Sequence, residues 1–161
     1  MKRALLFSAA MLLTLALTGC DVLNYIWQHV VGHSYTQVDM SALESSYGSA
    51  SYSKYTAAYP INASALTTNI VVGYLIRSSF YGKLAILANA STSKVTFQFT
   101  TYNTDGSVLA SSSSVTITAG SACDLTVSSG NEVSVGVDND FEWGTDGKLY
   151  PTDPAIFWVF P

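Results

Sequence analysis

Lys94-Val95-Thr96-Phe97-Gln98-Phe99-Thr100-Thr101-Tyr102, followed at once by Asn103-Thr104-Asp105-Gly106, decides the fold class of this chain. Val95, Phe97 and Phe99 alternate with Thr96, Gln98 and Thr100, the period-two pattern of a strand with one covered face. The tetrapeptide predicts a hairpin turn in which Gly106 takes the left-handed conformation. Residues 107–118 return as a second strand ending in Val115-Thr116-Ile117. Ala119-Gly120-Ser121 turns again, and residues 123–127 read as a third strand.

The same grammar extends in both directions. Upstream, Ile70, Val71, Val72, Tyr74, Leu75 and Ile76 form a continuous apolar run, as expected of a strand covered on both faces. Residues 83–89 read as another strand. Downstream, Ser129-Gly130-Asn131 leads into Val133, Val135 and Val137, and Ala155-Ile156-Phe157-Trp158-Val159-Phe160 closes the chain as a core strand. Short strands at this spacing, separated by glycine-containing turns, predict an all-β antiparallel sandwich over residues 61–161. The strand, Asp-Gly turn, strand, Gly-Ser turn and strand of residues 95–127 resemble the small immunoglobulin-like domains of prokaryotic envelope lipoproteins. The resemblance covers about a third of residues 61–161. It implies an immunoglobulin-like sandwich and no catalytic chemistry.

The N-terminus carries an address. Lys2 and Arg3 precede an uncharged, mostly apolar run over residues 4–17, and Leu17-Thr18-Gly19-Cys20 follows. A positive head, a short apolar stretch and small residues define a secretory signal over residues 1–19. Fourteen helical residues span roughly 21 Å, short of the ~30 Å hydrocarbon core, which argues against a membrane-spanning helix. Ala16 and Gly19 would also suit plain secretory cleavage. Cys20 with Leu17 three residues before it instead resembles the lipobox of bacterial lipoproteins. That resemblance implies a lipidated Cys20, carrying a thioether diacylglycerol and an amide-linked acyl chain, and a domain held at a cell membrane facing the periplasm or exterior. At about 0.8 kcal/mol per buried CH₂, one chain anchors marginally and several anchor stably. Asp21 resembles the residue that retains such proteins in the inner membrane of enteric bacteria.

Removal of residues 1–19 leaves 142 residues, enough for one core. Five basic residues then face eleven acidic ones. An acidic chain with no basic cluster lacks the footprint of a nucleic-acid binder and has no polybasic patch for anionic lipid. With Cys20 acylated, Cys123 has no partner for an intramolecular disulfide. It shares an alternating face with Leu125 and Val127, which predicts a small buried hydrophobe.

Between anchor and sandwich, residues 20–60 read as a lipidated N-terminus and a Ser/Tyr-rich tether, flexible or partly helical. Val22, Ile26 and Val30 give residues 21–33 one apolar stripe, suited either to the lipid interface or to packing on the domain. A helical turn is expected near residues 40–47. Tyr35, Tyr47, Tyr52, Tyr55 and Tyr59 are more tyrosines than a spacer needs, so some are expected to dock.

Candidate chemistry concentrates after residue 137. Asp138, Asp140, Glu142 and Asp146 bring four carboxylates within nine residues, a composition suited to Ca²⁺, although the spacing is not that of an EF-hand. In extended backbone, Asp138, Asp140 and Glu142 would point the same way. Solvated loops use the same residues. A glycosidase pair would need a raised pKa in a cleft. His29 and His33 stand one helical turn apart with no third metal ligand nearby. They are the only histidines, and no G-x-S-x-G setting accompanies the serines, so a hydrolase is not expected. Trp143 in the acidic loop and Tyr102 at a strand end are candidate platforms for a sugar ring. The sequence therefore predicts a non-catalytic, lipid-anchored envelope protein with an interaction or structural module and no cofactor. Its partners would be the membrane and an envelope protein or glycan. The alternative is a carbohydrate- or calcium-binding module.

Overall fold

The computed structural model describes residues 33–128, 131–136 and 138–160, and residues His33–Phe160 belong to one compact unit. The signal sequence, Cys20, Asp21 and His29 lie outside the described residues. Among the described residues, eleven strands form two antiparallel sheets. In chain order they are β1 (Lys54–Tyr55), β2 (Ile61–Asn62), β3 (Val71–Ile76), β4 (Phe80–Ser91), β5 (Lys94–Tyr102) and β6 (Val108–Thr118). Then come β7 (Ser121–Cys123), β8 (Glu132–Val133), β9 (Phe141–Trp143), β10 (Lys148–Pro151) and β11 (Ile156–Val159). The larger sheet runs β1-β11-β3-β4-β5-β6 and the smaller β2-β10-β9-β7-β8. This is the expected all-β sandwich.

The deciding stretch behaves as its alternation requires. Val95, Phe97 and Phe99 are buried, while Thr96, Gln98 and Thr100 are half-buried on the other face. Gly106 and Gly120 both take positive φ, +82° and +81°. The second of these turns carries the chain from β6 in one sheet to β7 in the other. The core between the sheets includes Tyr74, Phe97, Phe99, Phe141, Trp143 and Phe157, all essentially inaccessible. Burial of each large apolar side chain contributes about 1.5–3 kcal/mol. The Tyr74 hydroxyl bonds Thr101 Oγ1 at 2.7 Å, and that oxygen donates to the Leu125 carbonyl at 2.6 Å, so the one polar atom of this core ring is satisfied.

Three sequence boundaries shift. The strand expected over residues 123–127 ends at Cys123, and Val127 is exposed. The valine run after residue 131 contributes only Glu132–Val133. The acidic loop contains a strand, β9, because Phe141 and Trp143 alternate with Glu142 and both enter the core.

The larger correction concerns residues 33–60. They were expected as a tether, with the domain beginning at residue 61, but they fold as part of the domain. The helix α1 (Met40–Gly48), capped by Asp39 accepting from the Ala42 N–H at 2.8 Å, lies on the outer face of the larger sheet. Val38 and Leu43 bury there against Val71, Leu75, Ala85, Trp158 and Phe160. The physical reason is that β3 and β11 are apolar on both faces, so a sandwich alone would leave one face wet. Two lysines fasten this strap. Lys83, 6% exposed, donates to the carbonyls of Tyr35 at 2.7 Å and Val38 at 2.5 Å, with its ammonium 4.5 Å from the Tyr35 ring centroid. Lys54 donates to the Ser46 carbonyl at 2.9 Å and sits over the rings of Tyr47, Tyr52 and Trp158. Burial lowers the pKa of both. The docked tyrosines are therefore partners of the core and of these two cations.

Lys83→Met is expected to leave two strap carbonyls without a donor, costing about 1–3 kcal/mol. Limited proteolysis should then cut first within residues 34–59. Unchanged protection of that segment would refute the clamp.

Candidate functional site

The two ends of the sandwich differ. At one end the β3–β4 turn places Arg77 and Ser78 at positive φ, 51° and 57°, in a tight turn closed by the Ser79 N–H on the Ile76 carbonyl at 3.1 Å. Such turns favour Asn-Gly; a non-glycine pair there holds backbone strain. The turn places Arg77 against two loops, the one between β7 and β8 and the one between β8 and β9. Its Nη2 lies 3.4 Å from Asp124 Oδ1 and 3.3 Å from the Asp138 carbonyl, and its Nε lies 3.5 Å from Asp140 Oδ1. Asp138 is also at positive φ, 45°.

Asp140 is the buried member, at 3% exposure. Its Oδ2 accepts the Leu125 N–H at 2.7 Å. Burial raises its pKa to about 6, against the opposing pull of that N–H and of Arg77, while the neighbouring Asp124 pushes in the same direction as burial. Asp124 is itself occupied, accepting from the Thr126 N–H and hydroxyl at 2.8 and 2.6 Å.

Two adjoining cavities open here. One, of about 260 Å³, is lined by Arg77, Asp138, Asp140, Pro154 and Ala155. The other, of about 340 Å³, is lined by Glu142, Tyr150, Pro151, Val135, Gly136 and Ala57. Asn139, Thr152 and Asp153 line both. The Asn139 amide donates to Thr152 Oγ1 at 2.7 Å and its oxygen accepts the Gly136 N–H at 3.2 Å, which fixes the shared wall. The larger cavity is at the small end of ligand-site volumes, and a perturbed carboxyl in a polar cleft, as Asp140 is beside the smaller one, is a recognised mark of a site.

The four acidic residues of the sequence analysis are not brought together as a set. Asp138 turns away from extended backbone, Asp140 is committed to Leu125 and Arg77, and Glu142 faces the larger cavity. Asp146 is at the far end of β10, paired with Lys148 at 2.7 Å and accepting the Tyr150 hydroxyl at 2.8 Å. These donors lower its pKa. Among the described residues, no group of three or more His, Cys, Asp or Glu stands close enough to hold a metal ion.

Trp143 is a correction. It is fully buried between the sheets, with its indole N–H donating to the Ser91 carbonyl at 3.2 Å, so it presents no face to a ligand. Tyr102 does face away from Phe97 and Phe99, but it packs half-buried against the strap cluster. Cys123 is fully buried and free, and burial raises its pKa, as a small hydrophobe's would be. His33 packs its ring against Phe160, centroids 5.2 Å apart. The cleft residue that sequence reading missed is Arg77. Arg77 is the sole arginine after the signal, which is a faint signal, and its reach to Asp124 and Asp140 is purely tertiary.

The fold and cleft together define a strap-covered β-sandwich with a polar, acidic cleft at one pole. No family model, curated protein or solved structure matches the chain.

Proposed function

We propose that the mature chain is a non-catalytic, lipid-anchored cell-envelope protein whose sandwich is an interaction module. The reading includes the likeness of residues 95–127 to immunoglobulin-like envelope domains. The observation that supports it best is the succession of Lys2-Arg3, the uncharged apolar run of residues 4–17 and Leu17-Thr18-Gly19-Cys20 ahead of a folded β-sandwich. Acylation confines such a unit to the membrane surface and raises its effective concentration toward partners there. Among the described residues no helix is long and apolar enough to cross a membrane. Attachment in this reading is through Cys20, as the lipobox resemblance implies. Cys20→Ala is expected to move the protein wholly from the detergent phase to the aqueous phase while its melting curve stays unchanged. Palmitate labelling should disappear with it. Aqueous partitioning or absent labelling of the wild type would overturn the anchor.

A second reading, glycan binding, is favoured by one feature: Tyr150, Glu142, Asn139 and Asp153 all line the larger cavity. Small-molecule sites commonly combine an aromatic residue with a few convergent polar groups. A ligand of the folded state raises its melting point. A glycan panel, with Ca²⁺ as a separate arm, therefore tests it. A shift that Glu142→Gln abolishes supports the cleft, and no shift with any glycan rejects this reading.

A further inference from the structure

The larger cavity is built on the outer face of the smaller sheet. Glu142 and Tyr150 stand opposite each other across the β9–β10 ladder, and both line it. Their strand neighbours Phe141, Trp143 and Leu149 turn into the core instead. The Tyr150 ring is fixed at its edge and at its tip. A Cβ on Gly144 would stand 2.7 Å from the ring's Cε2, and the hydroxyl donates to Asp146 Oδ2 at 2.8 Å. Val135 and Pro151 supply apolar wall, and Val135 is 49% exposed, so the cavity is open to solvent. Glu142 and Asp153 bring two carboxylates that meet no side-chain cation among the described residues. No lysine or arginine lines this cavity among those residues. Lys148 is taken up by Asp146, and Arg77 by Asp124 and Asp140.

The chain shows elsewhere what such walls hold. The Lys54 ammonium lies 5.1 to 5.7 Å from the ring centroids of Tyr47, Tyr52 and Trp158 and donates to the Ser46 carbonyl. The Lys83 ammonium lies 4.5 Å from the Tyr35 centroid and donates to two carbonyls. Neither lysine is bridged to a carboxylate among the described residues. Ring faces attract the cation, and the aliphatic stem covers apolar surface. The larger cavity has the same three parts: a ring, an apolar wall and oxygen acceptors. It replaces neutral carbonyls by carboxylates, which makes the hydrogen bonds to an ammonium stronger. Its cation has to come from outside the domain.

We infer that the larger cavity receives a lysine side chain from a basic segment of a partner protein. The ammonium faces the Glu142 and Asp153 carboxylates, and the stem lies against Val135, Pro151 and the Tyr150 ring. Charge over the whole chain acts in the same direction. Eleven acidic residues against five basic ones after the signal attract a basic segment before contact. The inference rests on the interaction-module reading above and is independent of the acylation of Cys20.

The test titrates the mature protein, in nonionic detergent, with the peptide acetyl-Gly-Lys-Gly-amide and follows backbone amide NMR signals. Saturable shifts should centre on Gly136, Glu142 and Tyr150. A peptide acetylated on the lysine amine keeps the stem and loses the charge, and should bind at least about tenfold more weakly. Glu142→Gln should weaken the lysine peptide by a similar factor, and Asp153→Asn and Tyr150→Leu several-fold, with melting curves confirming that each variant is folded. Glu44→Gln, which removes the same charge from the exposed surface of α1, should change nothing. Four results would overturn the inference: no saturable shift, equal binding of the acetylated peptide, tighter binding of an arginine peptide, or equal losses in Glu44→Gln and Glu142→Gln. If lysine does not bind here while a membrane partner crosslinks to another face of the sandwich, the cavity fails and the module stands. With neither binding nor crosslinks, the module reading falls too.

Discussion

Gly82→Ala is expected to lower the stability of the domain by about 3 kcal/mol, among the largest effects of adding one methyl group. Gly82 pairs directly with Tyr74 across the β3–β4 ladder, and a Cβ there would fall inside the edge of the buried Tyr74 ring. Glycine in a strand interior is ordinarily a weakness, since it packs nothing and gains no rigidity. Here it is the space in which a neighbouring ring lies. Gly73 does the same on the opposite face of the sheet, under Trp158, its partner across the β3–β11 ladder. Gly73→Ala should therefore cost a comparable amount, displacing Trp158 from the strap and its indole N–H from Ser46 Oγ. Gly48→Ala is the control, because nothing lies within 4 Å of a Cβ at that helix end. Urea unfolding of the three variants gives the comparison. If Gly82→Ala and Gly48→Ala unfold at the same midpoint, the placement of Tyr74 is wrong.

Asp140→Asn is expected to change the pH dependence of stability rather than only its size. A carboxyl raised from 3.8 to about 6 in the folded state binds its proton more tightly there than in the unfolded chain. Its contribution is fully present below about pH 4 and is lost as pH rises through about 6. At about 1.4 kcal/mol per unit, the loss is on the order of 3 kcal/mol. Asp105, Glu132 and Asp146 have lowered pKa values and act in the opposite sense at more acid pH, so the diagnostic quantity is the difference between wild type and variant. Asparagine keeps an acceptor for the Leu125 N–H and removes the buried charge. The variant should thus gain on the wild type between pH 4 and 6 and hold that gain at neutral pH. Stability curves that run parallel from pH 4 to 7.5 would show that Asp140 ionises normally, and the cleft would lose its most unusual group.

The alternation of Val95, Phe97 and Phe99, and the positive φ of Gly106 and Gly120, were readable because strand period and turn chemistry are local properties. The two-faced apolar runs that became β3 and β11 were readable for the same reason. They even stated that a third layer was needed, although not that residues 33–60 would supply it. Local pattern also contained the cue that was passed over, Phe141-Glu142-Trp143, in which alternation outweighs the acidic surroundings and takes Trp143 inside. Only the tertiary structure decided the rest. Lys83 reaches carbonyls more than forty residues earlier, and Arg77 reaches carboxylates about fifty and sixty residues later. Which carboxylate is buried and which lysine is caged depend on strand order and register. Those are set by the mutual burial of both sheets and the strap, a property no single window of the chain contains.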